Sequence, residues 1–288
     1  MDINIRTIKD IKPVLASELA GLYTDPEISA LAGIIIKTIL KVPGLHAVAF
    51  PQQAVSQRHT REIHRICREL RKGKPIQYII GETNFYNCTI KINSHTLIPR
   101  PETEELVDLI IKQNRGFKGS ILDIGTGSGC IAVALAINLP GAFVTGTDNS
   151  DEALKIAAEN ASKNKTKVSL IKADILNLDS DLPEGQDIIV SNPPYIRESE
   201  KKLMNRNVLD YEPHEALFVP DESPLIFYRA ILKHSKKILH HEGKIYFEIN
   251  EAMGKLMCDL LISEGYRSVE MIKDINGKDR IIKGIRNE

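Results

Sequence analysis

No two of the four cysteines, Cys67, Cys88, Cys130 and Cys258, stand close enough to form a CxxC pair. That spacing speaks against both a zinc ribbon and a disulfide framework, and a reducing compartment is the simpler setting. Long apolar runs are missing too, since none reaches the roughly 18 residues of a membrane span. The first residues, Met1-Asp2-Ile3-Asn4-Ile5-Arg6, lack the charged and apolar blocks of a secretory leader, so a cytoplasmic location away from membranes is expected. Net charge is absent: Lys plus Arg and Asp plus Glu number 38 each. A protein that lives on the nucleic-acid backbone carries an excess of positive charge, so no direct nucleic-acid binding is expected and a protein or small-molecule partner gains weight. No internal repeat or low-complexity tract interrupts the 288 residues. That length suits one moderate domain plus a smaller one and buries a core without covalent staples. A monomer is expected.

The charge that is present is uneven. Residues 58–74 hold Arg58, Arg61, Arg65, Arg68, Arg71, Lys72 and Lys74 against only Glu62 and Glu69. Ile63, Ile66, Cys67 and Leu70 recur there at i, i+3, i+4 and i+7, so the stretch is an amphipathic helix with its arginines outward, ended by Gly73 and Pro75. It is either a solvated face or a docking surface for an acidic partner segment. Upstream, Thr24-Asp25-Pro26 starts another helix, with Ile28, Leu31, Ala32 and Ile35 at helical spacing. Residues 1–75 thus read as a helical domain. In residues 76–98 the pattern changes to short β-like runs, Gln77-Tyr78-Ile79-Ile80 and Thr89-Ile90-Lys91-Ile92, expected as a β-hairpin linker. In residues 99–288, short apolar runs at 121–124, 143–146, 168–171, 187–190 and 244–247 alternate with helical segments at 131–139, 152–163 and 225–239. Strands alternating with helices imply an α/β fold with a parallel, doubly wound sheet.

Two motifs and two single acids in that region carry chemistry. Asp123-Ile124-Gly125-Thr126-Gly127-Ser128-Gly129 runs from a strand into a glycine-rich turn that opens a helix at Cys130. Glycines let a ligand approach the backbone, and a helix start offers free N–H groups. A nicotinamide fingerprint would place a glycine at position 130, where Cys130 stands; the GxGxG pattern resembles instead the nucleotide loop of S-adenosylmethionine methyltransferases. Asp148 ends the next strand about 20 residues on, where a carboxylate accepts from both ribose hydroxyls; a helix cap is the plainer reading. Asp174 closes the third strand, in position to accept from the adenine amino group with Ile175 against the ring, or else to serve as a turn residue.

The most specific element is Ser191-Asn192-Pro193-Pro194-Tyr195, at the carboxyl end of the fourth strand, the edge where such sheets bind ligands. An amide nitrogen is a poor nucleophile because its lone pair is delocalised into the carbonyl. A site that methylates it must orient the NH2 group and stabilise the positive charge that develops on it, and two acceptors do both. Asn192 offers a side-chain oxygen and Pro193 a main-chain carbonyl. The prolines donate no N–H and hold the preceding residue extended, which keeps those acceptors preorganised. Tyr195 offers an aromatic wall to a planar acceptor. No general base is needed beforehand, because attack on a sulfonium methyl precedes loss of the proton.

With these motifs the chain closely resembles the HemK/PrmC family, the N5-glutamine methyltransferases that modify the glutamine of the Gly-Gly-Gln motif in peptide chain release factors. The resemblance extends over essentially the whole chain. It includes Ile98-Pro99-Arg100-Pro101-Glu102-Thr103-Glu104, Tyr211-Glu212-Pro213-His214-Glu215-Ala216-Leu217 and the closing segment from Asp274 to Arg280. It implies a Rossmann-like sheet of seven strands, mostly parallel, behind a helical substrate-binding domain and a hairpin linker. S-adenosylmethionine is the implied cofactor, held by Gly125, Thr126, Gly127, Ser128, Gly129 and Asp148, with S-adenosylhomocysteine as product; Asp174 and Ile175, placed by their strand position, and Asn192 complete the expected cofactor site. The implied glutamine site is Asn192, Pro193, Pro194 and Tyr195, and release factors are the implied protein partners. Some family members carry an aromatic residue at the position of Ile175, so stacking on adenine is expected to differ here. Residues 99–104 are implied to lie over the active site, with no individual role assigned.

Other features carry less. His240-His241-Glu242 is not HExxH, and His59 and His64 are five apart on a helix, so no metal site is expected. Glu248 and Glu251, near the end of the fifth strand, read either as an acid–base pair or as ordinary polar residues of a strand end. Glutamine methylation of a ribosomal protein shares the tetrapeptide and is the nearest rival. N6-adenine methylation also suits it, opposed by the neutral charge and the lack of a large target-recognition domain. A silent binding protein predicts damaged motifs, and neither motif is damaged.

Overall fold

The computed structural model describes residues 5–287; of the amino-terminal hexapeptide, residues 1–4 lie outside the described residues. The chain divides into two units, one comprising the residues up to Gly81 together with Arg206–Tyr211, the other Glu82–Asn205 and Glu212–Glu288. Among the described residues no helix is long and apolar enough to cross a membrane.

The smaller unit is helical. Its helix Asp25–Thr38 starts where Thr24 predicts, with the Thr24 N–H and hydroxyl both donating to the Glu27 carboxylate (2.7 and 2.8 Å) and Pro26 in the first turn. Ile28, Leu31, Ala32 and Ile35 are buried on one face of it. The basic helix Gln57–Arg71 buries Ile63, Ile66, Cys67 and Leu70 against that face and against Ile11, Val14 and Leu15 of the helix Ile11–Glu18. Each fully buried aliphatic side chain contributes about 1.5–3 kcal/mol, so this shared core favours the packed bundle while the arginines of the basic helix stay outward. The short helix Arg206–Tyr211 joins the unit through a Tyr211 hydroxyl that donates to the Lys72 carbonyl (2.9 Å).

One expectation fails here. Gln77-Tyr78-Ile79-Ile80 is not a strand but part of a one-turn helix, Ile76–Ile80, that starts at Pro75 and ends at Gly81 in the left-handed region (φ 83°). Ile76 and Ile79 lie three apart and are both buried, a helical spacing that outweighs their β propensity. The hairpin is nonetheless present one step later, pairing Glu82–Phe85 with Cys88–Lys91.

That hairpin belongs to the larger unit, whose centre is a seven-stranded sheet. Its strands are β1 (Ser120–Ile124), β2 (Phe143–Asp148), β3 (Ser169–Lys172), β4 (Gln186–Ser191), β5 (Leu239–Glu248), β6 (Tyr266–Lys273) and β7 (Asp279–Arg286). Their order is β6-β7-β5-β4-β1-β2-β3. The strands from β3 to β5 pair in parallel, and β7 runs antiparallel between β5 and β6. Four of the five apolar runs read from the sequence lie within β1, β2, β4 and β5, and the fifth, 168–171, starts one residue before β3; β6 and β7 have no counterpart among those runs. The helices Cys130–Asn138, Asp151–Lys163 and Ile226–Ile238 follow the expected segments closely. The strand order reverses at β1, with β2 on one side and β4 on the other, and at such a switch point the loops leaving the carboxyl ends diverge and open a crevice.

Candidate active site

The glycine loop leaves β1 under tight steric control. Gly127 (φ 54°) donates its N–H to Asp148 Oδ2 (2.8 Å). Gly129 (φ 76°) is the left-handed residue that starts the helix Cys130–Asn138, and a Cβ there would meet the Ala157 Cβ at 2.9 Å. A side chain at either position is therefore strained, and at Gly129 it also collides. Around Gly125 and Gly127 no atom stands within 4 Å of a built Cβ, so the loop presents bare backbone to open space. Below the loop, Thr126 donates to Asp123 Oδ2 (2.6 Å), while Asp123 Oδ1 is buried with no hydrogen-bond partner among the described residues. Burial pushes the Asp123 carboxyl up to about 7.

Asp148 sits at the end of β2, where register carries it past the loop. Its Oδ1 accepts from Ser150 N–H (3.0 Å), and burial raises its affinity for a proton. The cap of the helix Asp151–Lys163 is Ser150, whose hydroxyl accepts from Ala153 N–H (3.2 Å), so Asp148 is not the capping residue. Asp174 is exposed and makes the turn after β3, its Oδ1 accepting from Leu176 N–H (2.9 Å); Ile175 is half-buried beside it.

These positions line one cleft of about 250 Å³. Gly125, Thr126, Gly127, Ser128, Asp148, Asp174 and Ile175 line it together with Asn192, Pro193 and Pro194. Gly129 backs the loop without being part of the lining, and Tyr195 is likewise outside it. The Tyr195 ring packs against the sheet core and its hydroxyl donates to Glu248 Oε1 (3.0 Å). Buried Ser191 ties the tetrapeptide strand to its neighbour through a bond to the Ile124 carbonyl (2.6 Å).

Sequence reasoning missed several residues that build this site. Glu248 is buried rather than a solvent-side strand end, and accepts from Thr103 Oγ1 on its other oxygen (2.7 Å). The parallel register Ser191↔Phe247 makes Asn192 and Glu248 successors on adjacent strands, which brings them to the same edge. Glu251, its suggested acid–base mate, instead faces Lys278 (2.8 Å) and Arg280 (3.6 Å). Glu212 is also buried, and accepts from Arg100 (2.6 Å) and from Ile98 N–H (3.2 Å). That pair of bonds explains why the segment around Pro99 and the one around Pro213 occur together: the second fixes the course of the first along the cleft. Buried Asn160 bonds to the Ser128 carbonyl and to both backbone groups of Lys91, fastening the glycine loop to the hairpin. These partners are 32 to 145 residues apart in sequence, beyond the reach of any local pattern. Cys130, at the loop's helix start, is buried with its thiol pushed up to about 12 and is not a thiolate nucleophile. Among the described residues no His, Cys, Asp and Glu cluster is arranged to hold a metal.

The comparisons with known proteins agree with this geometry. Residues 102–210 match the methyltransferase small domain family. The release factor glutamine methyltransferase of Flavobacterium psychrophilum is 43% identical over 280 residues, covering 96% of this chain and 98% of that protein. The protein of the same name from Bacteroides thetaiotaomicron is 44% identical over 276 residues, covering 96% and 99%. Among solved structures, a methyltransferase from Pyrococcus furiosus superposes with a TM-score of 0.50 at 21% identity, over 69% of this chain and 89% of that one, which shows the shared Rossmann-like fold. With relatives this similar along nearly its whole length, the chain belongs to the release factor glutamine methyltransferase family.

Proposed function

We propose that the cleft binds S-adenosylmethionine and directs its methyl group to the N5 amide nitrogen of the glutamine in the Gly-Gly-Gln motif of peptide chain release factors. The observation that carries this reading is the single cleft joining the glycine loop and Asp148 to Asn192-Pro193-Pro194. The residues fit the cofactor: bare loop backbone for its amino-acid end, the Asp148 carboxylate for the ribose diol, and Asp174 with Ile175 for the adenine. Bound there, S-adenosylmethionine supplies an electrophilic methyl on a sulfonium and leaves as neutral S-adenosylhomocysteine.

The chain's own part is positional. Asn192 Oδ1 and the Pro193 carbonyl accept from the two N–H bonds of the glutamine amide, which turns the nitrogen toward the methyl and stabilises its growing positive charge. Pro193 and Pro194 keep those acceptors from being satisfied by backbone donors of the chain. Tyr195, tied to Glu248, fixes the course of the tetrapeptide. Exclusion of water between the two halves of the cleft and correct orientation supply most of the acceleration, and the amide proton leaves to solvent after transfer. Arg58, Arg61, Arg65 and Arg68, which line a groove on the helical unit, are assigned to docking an acidic part of the release factor. We further propose that the protein acts in the cytoplasm, the setting such a substrate implies, and that it acts as a monomer.

The test is mass spectrometry of a purified release factor incubated with the protein and S-adenosylmethionine. One methyl group on the Gly-Gly-Gln glutamine is expected, with Asn192→Ala lowering kcat by roughly 10²- to 10³-fold while cofactor affinity is retained. Methylation of a ribosomal protein or an oligonucleotide in place of the release factor would overturn the reading.

A further inference from the structure

Three hydrogen bonds link four side chains at the carboxyl edge of the sheet: Asn192 Nδ2 donates to Thr103 Oγ1 (3.2 Å), Thr103 Oγ1 to Glu248 Oε2 (2.7 Å), and the Tyr195 hydroxyl to Glu248 Oε1 (3.0 Å). The side chain of an asparagine has two ends of nearly equal shape, one that only accepts and one that only donates. Nothing in Asn192 itself decides which end faces the cleft. Thr103 decides it. Burial raises the affinity of the Glu248 carboxyl for a proton, and the hydrogen bonds from Thr103 and Tyr195 and the charge of Arg280 oppose it; in its ionised form it only accepts, so the single hydroxyl proton of Thr103 is committed to Glu248 and its oxygen has only lone pairs left for Asn192. The NH2 end of Asn192 is the end that satisfies them. Among the described residues, Asn192 Oδ1 receives no donor from the chain and is left for the cleft. Thr103 and Glu248 are 2% and 1% exposed, so water does not compensate a reversed arrangement.

We propose that Thr103 and Glu248 are positioning residues that lock the Asn192 amide with its oxygen toward the substrate, making the site an acceptor for an NH2 group and closing it to a carboxylate. This rests on the reading of Asn192 as a ligand of the glutamine amide. It gives the segment Pro101-Glu102-Thr103-Glu104 its function: the helix Pro101–Gln113 delivers Thr103 in its first turn, between the ends of β4 and β5. It also provides discrimination between glutamine and glutamate, since a glutamate side chain meets an oxygen it has no N–H to satisfy.

Three substitutions and one spectrum test it. Thr103→Val removes the hydroxyl, and kcat for glutamine methylation is expected to fall about 100-fold with KM and cofactor affinity little changed. Thr103→Ser recovers most of that loss. Glu248→Gln presents an N–H where a carboxylate oxygen stood, which frees the Thr103 hydroxyl to donate to Asn192 and turn its amide, with a loss of similar size. Independently of turnover, the Asn192 side-chain NH2 in asparagine-labelled protein is expected to be protected from solvent exchange in the wild type and unprotected in Thr103→Val. Wild-type kcat in both Thr103→Val and Glu248→Gln, or an unprotected Asn192 amide in the wild type, would overturn the proposal. A protected amide in a wild-type protein that methylates no glutamine would instead sink the proposed function and leave the locked amide standing.

Discussion

The arginine-bearing face of the helix Gln57–Arg71 and the layer beneath the cleft both concentrate ionisable groups, and they hold them in opposite ways. On the helix, Arg65 pairs with Glu62 (2.7 Å) and Lys72 with Glu69 (2.7 Å), each three residues apart and each open to solvent. Such pairs are screened, interchangeable and worth at most about 1 kcal/mol. Beneath the cleft lining, Asp123 and Glu248 are 0% and 1% exposed, and among the described residues neither forms an ion pair; their side-chain bonds come from the hydroxyls of Thr126, Thr103 and Tyr195. There each proton has one place to go, and removing one partner strands another. The face of the helix is suited to long-range attraction, the cleft to fixing which atoms accept and which donate.

The largest expected break in that contrast comes from Asp123. Its carboxyl lies at about 7 in the fold against an ordinary 3.8. The folded state therefore keeps a proton that the unfolded chain has lost between those values. The resulting stability is fully present below 3.8 and is lost as pH rises through about 7, a difference of a few kcal/mol. Asp123→Asn should flatten this dependence, so the urea midpoints of variant and wild type converge toward low pH and separate above neutrality in favour of the variant. Parallel curves would show that Asp123 is ionised throughout. Second is Asp148→Ala, which removes a half-buried carboxylate acceptor and the anchor of the Gly127 N–H; cofactor affinity measured by titration is expected to drop roughly 100-fold. Smallest is the triple reversal of Arg61, Arg65 and Arg68 to Glu. It should raise KM for the release factor about tenfold at low salt and lose that effect as salt screens the face, with kcat preserved. An unchanged KM at low salt would make the helix a solvated face only.

The same contrast governs what was legible in the sequence. The helix Gln57–Arg71 and strands β1 to β5 announce themselves because burial of a face imposes a period on neighbouring residues. The glycine loop and Asn192-Pro193-Pro194-Tyr195 are legible because their chemistry is compressed into a few consecutive positions. Strand β6 is not, because its burial is partial and a register shift between Arg267 and Glu270 breaks the alternation. Residues 77–80 misled because β-branched and aromatic side chains favour a strand, whereas Pro75 and a left-handed Gly81 close the backbone into a single helical turn. The links Thr103–Glu248 and Arg100–Glu212 span 145 and 112 residues and leave no local trace. Their motifs are visible in the sequence; the bonds that give them meaning are made by strand register and by the path of the chain along the cleft.

Asn160 has a consequence for motion. Its one amide group holds the Ser128 carbonyl and both backbone groups of Lys91. The hairpin strand Cys88–Lys91 therefore cannot fray from the helix Asp151–Lys163 at Lys91 without breaking bonds of the same side chain that steadies the glycine loop. Opening of one is opening of both: the amide hydrogens of Lys91 and of Gly129 and its neighbours should exchange with solvent at a common rate, as a single cooperative unit. A hairpin that reads as a connector is in this respect the outer wall of the nucleotide loop.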